Sequence, residues 1–306
     1  MTAVLDMLSP EELREKRSAA LSSVIAAVGL TTIKIIVGVL TGSLGIMAEA
    51  AHSGLDMAAA FMTLVAIQIS ARPADRNHTY GHGKVENLAA MFETLLLLAT
   101  CFWIIYKAVN RLLLKEVVVE VTFWSFAVMF ISIIVDASRS RILYRAAKKY
   151  HSQALEADAL HFSTDIWSSC VVILGLVCMK LSVWFPTLNF LRHADTLAAL
   201  VVALIVVYIC AALGRRTINA LLDTAPDGIK ENIIDAVEDL PGVIGCHHVR
   251  LRSVGSKYFI DIHVLMDGHQ TLRDAHDLTE KIEDAIEKLL KNADVVIHPE
   301  PYLKKD

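Results

Sequence analysis

Long apolar segments are the feature that most limits what this chain of 306 residues can fold into. A membrane-spanning helix needs roughly 20 mostly apolar residues. Segments of that kind lie at about 18–40, 44–70, 87–110, 119–140, 156–182 and 195–214. The sequence therefore predicts an all-α transmembrane domain of six helices.

A shift in composition marks the end of this region. Residues 18–216 hold the apolar segments, whereas residues 217–306 alternate apolar and charged side chains as a water-soluble domain does. Residues 1–17 form a short polar segment, which we expect in the cytoplasm. The overall content of 55% hydrophobic residues exceeds that of a typical soluble protein. The net charge of -4 gives no sign of a nucleic-acid partner.

The C-terminal region predicts a small α+β domain. Its helical and strand patterns follow one another at 228–240, 244–252, 257–266, 271–290 and 294–298. The first and fourth segments have the helical period, and the others alternate as strands do. The order αββαβ favours helices packed on one face of a small sheet.

Lysine and arginine residues gather in alternate loops, which sets the predicted orientation of the spans. They are Arg14, Lys16, Arg17, Arg72, Arg76, Lys84, Arg139, Arg141, Arg145, Lys148, Lys149, Arg215 and Arg216. These positions lie before the first span, between the second and third, between the fourth and fifth, and after the sixth. Both termini are therefore expected in the cytoplasm.

Two of the predicted spans carry the same polar motif. Residues 48–56 read AEAAHSGLD and residues 157–165 read ADALHFSTD, so both fit A-[E/D]-A-x-H-x-x-x-D. A single histidine or aspartate in a span can simply form a hydrogen bond to a neighbouring helix. Two matched motifs in segments so poor in charge favour a shared chemical function.

The spacing of the motif predicts a metal site. Residues i and i+4 lie on one helix face, so His52 with Asp56, and His161 with Asp165, each present two ligands in one direction. Packing the two faces together forms a four-ligand His2Asp2 site. Imidazole and carboxylate ligands suit zinc, and two aspartates balance the charge of one divalent ion. A proton relay without metal is the alternative.

The charged neighbours of the motif suggest how the site is tuned. Glu49 and Asp158 lie one turn before each histidine and are candidate partners that orient the imidazoles; interhelical hydrogen bonds explain them equally well. Lys34, inside the first span, has no assigned role. Histidine must be neutral to bind metal and titrates near physiological pH, so the sequence predicts exchange of metal against protons.

With these motifs the chain resembles the cation diffusion facilitator family of zinc and divalent-metal transporters. The resemblance also rests on the loop 73–84, PADRNHTYGHGK, and on residues 297–301, IHPEP. It implies a homodimer that exports divalent metal, above all Zn2+, in exchange for protons by alternating access. It also implies a ferredoxin-like or metallochaperone-like cytoplasmic domain. Short loops without a long histidine-rich insertion favour a bacterial inner membrane.

The resemblance implies an ion pair and two further metal sites. Asp75, His78 and His82 correspond to a loop site, and Lys84 with Asp223 to a salt bridge that holds the dimer. The cytoplasmic site corresponds to His247, His263, His276, His298 and Glu300. The family usually has aspartate where Glu300 stands, which leaves the bridging geometry open. Residues with no implied role in this cluster are His248 and His269.

Several alternatives remain at this point. Many bacterial zinc exporters of the family carry aspartate where His52 stands, and a second histidine favours zinc over manganese or iron(II). Cadmium, cobalt and nickel remain open, as does efflux of Fe2+ or Mn2+ by the same mechanism. A membrane metal sensor that does not transport is a further alternative. We expect no enzyme, because the sequence lacks an HExxH motif and the paired motifs already supply four ligands.

Overall fold

The structure is a computed structural model that describes residues 9–42, 44–114, 123–184, 194–226, 228–255, 257–290 and 292–302. The predictions that fall on 1–8, 115–122 and 185–193 lie outside the described residues. The chain forms two compact units. One comprises Leu8–Arg72 and Val85–Thr217, and the other includes Pro73–Lys84 and Ile218–Asp306. The domain limits at residues 17 and 216 stay predictions.

Six long helices make up the first unit. They are α1 (Pro10–Thr41), α2 (Leu44–Ser70), α3 (Lys84–Leu114), α4 (Phe123–Tyr150), α5 (Gln153–Trp184) and α6 (Ala194–Leu221). Ser9 caps α1, because its side chain accepts the backbone N–H of Glu12 at 3.1 Å. The helix ends at Gly42, whose φ of 65° is in the left-handed region that glycine adopts without strain. The predicted all-α fold of this region is confirmed.

The side chains of these helices reverse the pattern of a soluble protein. Large apolar side chains point outward; Leu40 is 81% exposed and Tyr208 is 77% exposed. Charged side chains such as Lys16, Glu93 and Asp158 are instead buried between helices. Apolar surface exposed on this scale is unfavourable in water, so this unit is built to lie in lipid.

Four of the described helices have the length and hydropathy to cross a membrane by themselves. They are Pro10–Thr41, Glu49–Ser70, Lys84–Asn110 and Leu200–Leu221. Helices α4 and α5 are similarly long, with 28 and 32 residues, but they carry several charged residues. Asp136 and Arg139 of α4 and Asp158 of α5 are buried. These three charged groups therefore face neighbouring helices rather than lipid.

Helix packing brings the two motif-bearing helices together. Helix α1 packs along α2, α4 packs along α5, and α2 also contacts α5. Buried side chains from these four helices form one apolar cluster that includes Ala20, Ala60, Leu143, Leu155 and Phe162. Alanine side chains are small, so the helix backbones can approach closely. Polar groups on the facing sides of α2 and α5 therefore lie close to one another.

The second unit contains the predicted α+β domain. Its elements are α7 (Ile229–Glu238), β1 (Val243–Val254), β2 (Lys257–Asp267), α8 (Leu272–Leu289) and β3 (Ala293–Tyr302). Strand β1 pairs antiparallel with β2, and β2 pairs parallel with β3. The parallel pair follows from the crossover through α8. The αββαβ order is confirmed, and β3 is longer than the predicted 294–298.

The core of this domain lies between the sheet and its helices. Ile260 and Ile262 on one face of β2 are fully buried, and so are Ile282 and Ile286 of α8, which belong to the same apolar cluster. Successive strand residues point to opposite faces. His263 therefore points to the other, more open face of the sheet.

Candidate metal centre

The two repeated motifs meet between α2 and α5. His161 Nε2 lies 3.1 Å from Asp56 Oδ1 and 3.7 Å from Asp165 Oδ2. His52 Nε2 lies 3.9 Å from Asp56 Oδ1 and 3.8 Å from Asp165 Oδ1. Ligand atoms of a tetrahedral zinc site with bonds of about 2.0–2.1 Å lie about 3.3 Å apart. His52, Asp56 and Asp165 thus offer ligand atoms that all lie within 4.8 Å of one another, and His161 contacts both aspartates from α5; a single four-ligand site stays a prediction.

Exposure differs between the two histidines of this four-residue site. The side chain of His161 is 7% exposed and that of His52 is 39% exposed. Asp56 and Asp165 are intermediate, at 11% and 20%. The site is therefore closed on the His161 side and more accessible from the His52 side.

Lys34, whose role the sequence leaves unexplained, lies beside this site. Its Nζ donates to Ser53 Oγ at 2.7 Å and lies 3.3 Å from Glu49 Oε2. Ser53 follows His52 in the chain, so the lysine ties α1 to the motif-bearing turn of α2. A buried ammonium group is tolerated here because it has both an acidic partner and a hydrogen-bond acceptor.

The two predicted partners of the imidazoles have other contacts in the structure. Glu49 forms the ion pair with Lys34, and Asp158 Oδ2 accepts a hydrogen bond from Ser23 at 3.4 Å. Nδ1 of His161 is buried and has no hydrogen-bond partner among the described residues. The orienting roles of Glu49 and Asp158 stay predictions.

The loop that precedes α3 brings together the three residues of the second predicted site. Asp75 carboxylate oxygens lie 3.2 Å from His78 Nδ1 and 3.4 Å from His82 Nε2. The backbone N–H groups of His78 and Asn77 donate to Asp75 Oδ1 at 2.7 and 2.8 Å. These two hydrogen bonds lower the pKa of Asp75 below its ordinary value. Its carboxylate is therefore ionised and oriented towards both histidines.

The predicted ion pair lies in the same unit as this loop. Lys84 Nζ lies 2.9 Å from Asp223 Oδ1 and donates to the carbonyl oxygen of Leu221 at 3.2 Å. Arg252 of β1 lies 3.9 Å from the other Asp223 oxygen and stacks on the ring of Tyr80 at 3.8 Å. These contacts hold the loop and the chain after α6 against the sheet. A role of the pair in a dimer stays a prediction.

Strand register aligns three of the predicted cytoplasmic ligands. His247, His263 and His298 face one another across β1, β2 and β3. Glu300 Oε1 lies 2.7 Å from His263 Nδ1, and Oε2 lies 3.3 Å from His247 Nε2. The hydrogen bond from His263 lowers the pKa of the Glu300 carboxyl. His247, His263 and His298 thus form a histidine row, and Glu300 contacts two of its members.

The fifth predicted cytoplasmic ligand lies elsewhere. His276 is on α8, which packs on the opposite face of the sheet, and its Nε2 lies 3.7 Å from Glu280. Its side chain is 69% exposed. Within one chain the structure does not bring His276 into the histidine row.

His248 joins the row instead, which the sequence did not predict. Its ring centroid lies 5.2 Å from those of both His247 and His263. Consecutive strand residues normally point to opposite faces. The register shifts between His247 and Arg250, and His248 has a φ of 49°, so a bulge turns both histidines to one face. The His-His pair was the only signal in the sequence, and it does not reveal a bulge.

Comparison with known proteins identifies the family. The model of the cation efflux transmembrane domain matches residues 20–222, and that of the cation efflux protein cytoplasmic domain matches residues 225–302. The chain is 32% identical over 298 residues to the cation-efflux pump FieF of Yersinia pestis (strain Pestoides F), covering 96% of this chain and 95% of the relative. FieF of Yersinia pseudotuberculosis serotype O:3 (strain YPIII) matches equally well.

Similar solved structures cover the C-terminal part of the chain. A nickel form of a MamM CTD variant is 24% identical, with a TM-score of 0.25, and covers 26% of this chain and 100% of that one. Another MamM-CTD structure is 26% identical, with a TM-score of 0.24, and covers 25% of this chain and 98% of that one. Since both family models and the relatives span nearly the whole chain, it belongs to the cation diffusion facilitator family of cation-efflux transporters.

Proposed function

We propose that this chain exports Zn2+ in exchange for protons, by alternating access through a site formed by His52, Asp56, His161 and Asp165. Membership of the family establishes cation efflux as its general activity. The observation that carries the finer proposal is the convergence of two imidazoles and two carboxylates, with nitrogen-to-oxygen distances of 3.1–3.9 Å.

The chemistry of this ligand set supports zinc. Nitrogen and oxygen ligands in a four-coordinate set suit Zn2+, whereas Mn2+ and Mg2+ prefer oxygen ligands in six-coordinate sets. Asp56 and Asp165 together balance the two charges of the ion, which avoids a net charge inside the bilayer. Fe2+ is the nearest competitor, because imidazole also binds iron.

Proton exchange follows from the two histidines. His52 and His161 can bind metal only when the ligating nitrogen carries no proton. Entry of the ion on one side of the membrane therefore expels protons, and protonation on the other side helps to release the ion. The greater exposure of His52 supports entry and exit past that residue.

Localisation and orientation form part of the proposal. The relatives named as cation-efflux pumps come from bacteria, and the basic residues lie in alternate loops. Both points support a multi-pass protein of a bacterial inner membrane with cytoplasmic N- and C-termini. Under this orientation the loop of Asp75 and the histidine row lie in the cytoplasm.

The loop cluster and the histidine row are proposed as cytoplasmic metal sites. Each groups side chains of His and Asp or Glu whose ligand atoms lie within 4.8 Å of one another. His276 lies on the far face of the domain, so it joins the histidine row only if a second chain supplies it. A homodimer, with the Lys84–Asp223 pair near its membrane end, is therefore included in the proposal.

Transport into proteoliposomes tests the proposed function. Purified native chain and Asp165→Ala are compared for uptake of Zn2+, Cd2+, Fe2+ and Mn2+, with and without a pH gradient. Asp277→Ala is the matched control, because Asp277 is an exposed residue of α8. We expect uptake of Zn2+ that depends on the gradient in the native chain and the control, and uptake near background in Asp165→Ala. Native rates in Asp165→Ala would contradict the proposal.

A membrane metal sensor is the second candidate, favoured by the exposed histidine row. A sensor requires metal binding at the row but tolerates loss of Asp165. Zinc-dependent signalling that survives Asp165→Ala but is lost in His263→Ala, together with no uptake by the native chain, would favour the sensor.

A further inference from the structure

An ion pair that the proposed transport site does not use is buried on α4. Arg139 and Asp136 are 4% and 8% exposed, and Nη1 of the arginine donates to Asp136 Oδ1 at 3.3 Å. Charged groups inside a membrane-spanning helix are costly and commonly have a function there. Asp136 balances the charge of Arg139, which leaves the rest of the guanidinium group free to contact other helices.

The guanidinium group of Arg139 joins α4 to both α1 and α5. Its Nε and Nη2 donate to Ser23 Oγ of α1, at 3.2 and 3.1 Å. Its Cζ lies 3.4 Å from the ring centroid of Phe162 of α5, which is 1% exposed. A planar, delocalised cation stacks on an aromatic ring in this way, and the attraction is stronger where water is excluded. Arg139 therefore fixes the ring of Phe162 from its face.

Ser23 extends this contact to a second residue of α5. Its hydroxyl group donates to Asp158 Oδ2 at 3.4 Å, and Asp158 is fully buried. Asp158 lies about one turn before His161, and Phe162 follows His161 directly. Arg139 thus acts on the helical turn of His161 from both ends.

The imidazole ring of His161 lacks the support that a metal-ligating histidine usually has. Such a ring normally donates from its second nitrogen to a carboxylate, a carbonyl oxygen or water, which fixes its orientation. Nδ1 of His161 is buried and has no hydrogen-bond partner among the described residues. The ring instead packs against that of Phe162, with 5.5 Å between centroids and an interplanar angle of 69°. The orientation of His161 therefore depends on packing against the side chain that Arg139 fixes.

We propose that Arg139 is a positioning residue, which directs Nε2 of His161 towards the two aspartates of the proposed transport site. The inference rests on the proposed function, because it concerns a ligand of that site. Nε2 lies 3.1 Å from Asp56 Oδ1 and 3.7 Å from Asp165 Oδ2. A rotation of the imidazole ring or of its helical turn changes both distances, so a shift of Phe162 weakens the binding of an ion.

The shape of the guanidinium group distinguishes this role from that of a charge alone. Lysine keeps a positive charge beside Asp136, but its ammonium group is compact and has no planar face. Arg139→Lys therefore removes the stacked contact with Phe162 without leaving Asp136 as an unpaired buried charge. If Arg139 only ties helices together, this change alters the amount of folded protein and not the coordination of an ion.

Zinc binding to the full chain in lipid tests the proposal. The reference chain and all variants carry the substitutions that disable the other two clusters, which are His78→Ala, His247→Ala, His263→Ala and His298→Ala. We expect Arg139→Lys and Phe162→Leu each to weaken zinc binding by about 10- to 100-fold, as loss of an outer partner of a metal ligand does. Their combination should bind no more weakly than the weaker of the two, because both act through one contact.

Arg252→Lys is the matched control for this substitution. Arg252 also stacks on an aromatic ring, that of Tyr80 at 3.8 Å, but it lies in the other unit of the chain. Its replacement removes the same kind of contact without touching α5. We therefore expect Arg252→Lys to bind zinc as the reference chain does.

X-ray absorption at the zinc edge of the same samples gives a readout that a general loss of stability does not move. Imidazole rings produce outer-shell scattering whose strength reports how many histidines bind the metal. We expect two imidazole ligands in the reference chain and in Arg252→Lys, and fewer in Arg139→Lys. If Arg139→Lys does not fold, Phe162→Leu and Ser23→Ala, which leave the ion pair in place, provide the same test.

The outcomes separate this inference from the proposed function. Unchanged affinity and two imidazole ligands in Arg139→Lys would overturn the inference and leave the proposed function intact. Losses in the double variant that multiply those of Arg139→Lys and Phe162→Leu, or an equal loss in Arg252→Lys, would overturn it as well. A native chain that neither binds nor moves zinc contradicts the proposed function, and with it the ligand role of His161 on which the positioning rests.

Discussion

The proposed transport site and the proposed metal site of the histidine row combine imidazole and carboxylate groups on different scaffolds, one helical and one a sheet. In the transport site, helices α2 and α5 place histidine and aspartate one turn apart, and the side chains are largely buried. In the row, three strands place histidines side by side on an open sheet face, where His298 is 63% exposed. A buried site must balance its charge from within, whereas an open site can use water and counter-ions.

The difference in burial explains why the two sites differ in their proportion of acidic residues to histidines. The proposed transport site has one aspartate for each histidine, which would neutralise an ion of two charges. The row has four histidines and Glu300 as the one acidic residue that contacts it among the described residues. We therefore expect the transport site to be intolerant of any change in ligand, and the row to tolerate single losses.

The largest expected effect is on transport. His161→Ala removes a buried ligand, and we expect zinc uptake to fall by about 100-fold or more, since loss of even an outer partner of a metal ligand costs 10–100-fold. His263→Ala removes a half-buried residue of the row and should leave uptake close to the native rate, because the row lies outside the membrane spans. Uptake into proteoliposomes under one pH gradient compares the two. Equal losses in both variants would contradict the distinction between the sites.

A large loss of stability, confined to the cytoplasmic domain, is expected from a substitution in the apolar core between its sheet and helices. Ile282 is fully buried against the sheet, and Ile282→Ala should destabilise the cytoplasmic domain by about 2–5 kcal/mol. Hydrogen exchange of β2 amides in the full chain measures this. Glu283→Ala, at the exposed neighbouring position, is the control. A collapse of zinc uptake in Ile282→Ala would show that the effect is not confined to the cytoplasmic domain.

A smaller effect is expected where the loop meets the sheet within the second unit. A Cβ added at Gly83 would lie 2.9 Å from both the side chain and the carbonyl oxygen of Val254. Gly83→Ala should therefore destabilise this contact by about 1–3 kcal/mol. Increased proteolysis of the loop would show it. Gly29→Ala is the control, because no described atom lies within 4 Å of its added Cβ.

The smallest effect concerns the start of α8. Thr271 donates its hydroxyl and its backbone N–H to Asp274 Oδ2, at 2.6 and 3.2 Å, and these bonds lower the pKa of Asp274. The unfolded chain then binds the proton more tightly, so the stabilisation is present above the ordinary pKa and lost as pH falls through the lowered value. Calorimetry should show Asp274→Asn less stable than native at neutral pH, with the gap closing as pH falls through the lowered pKa of Asp274. A gap that widens on acidification would contradict this assignment.

The helical period made the main features of the membrane unit predictable. His52 and Asp56 share a face because of their spacing alone, and the repetition at His161 and Asp165 pointed to their pairing. The distances between α2 and α5 depend on packing, which no local pattern contains. The order of elements in the cytoplasmic domain was likewise predictable, because each has a clear period.

Features that depend on contacts distant in sequence were not predictable. Lys34 reads as an anomaly until its contacts with Glu49 and Ser53 are known. Glu93 is a single acid in an apolar segment, and its hydrogen bond from Thr63 of α2, at 3.0 Å, depends on helix packing. His248 required a backbone bulge, and His276 was assigned from the family although its helix packs on the other face.

The most direct test of the transport site is X-ray absorption at the zinc edge. The full chain would carry His78→Ala in the loop cluster and His247→Ala, His263→Ala and His298→Ala in the row, so that the other two clusters lose most of their ligands. The account predicts one tightly held zinc ion with two nitrogen and two oxygen ligands at about 2.0–2.1 Å. A six-coordinate shell of oxygen alone, or no zinc retained, would contradict it.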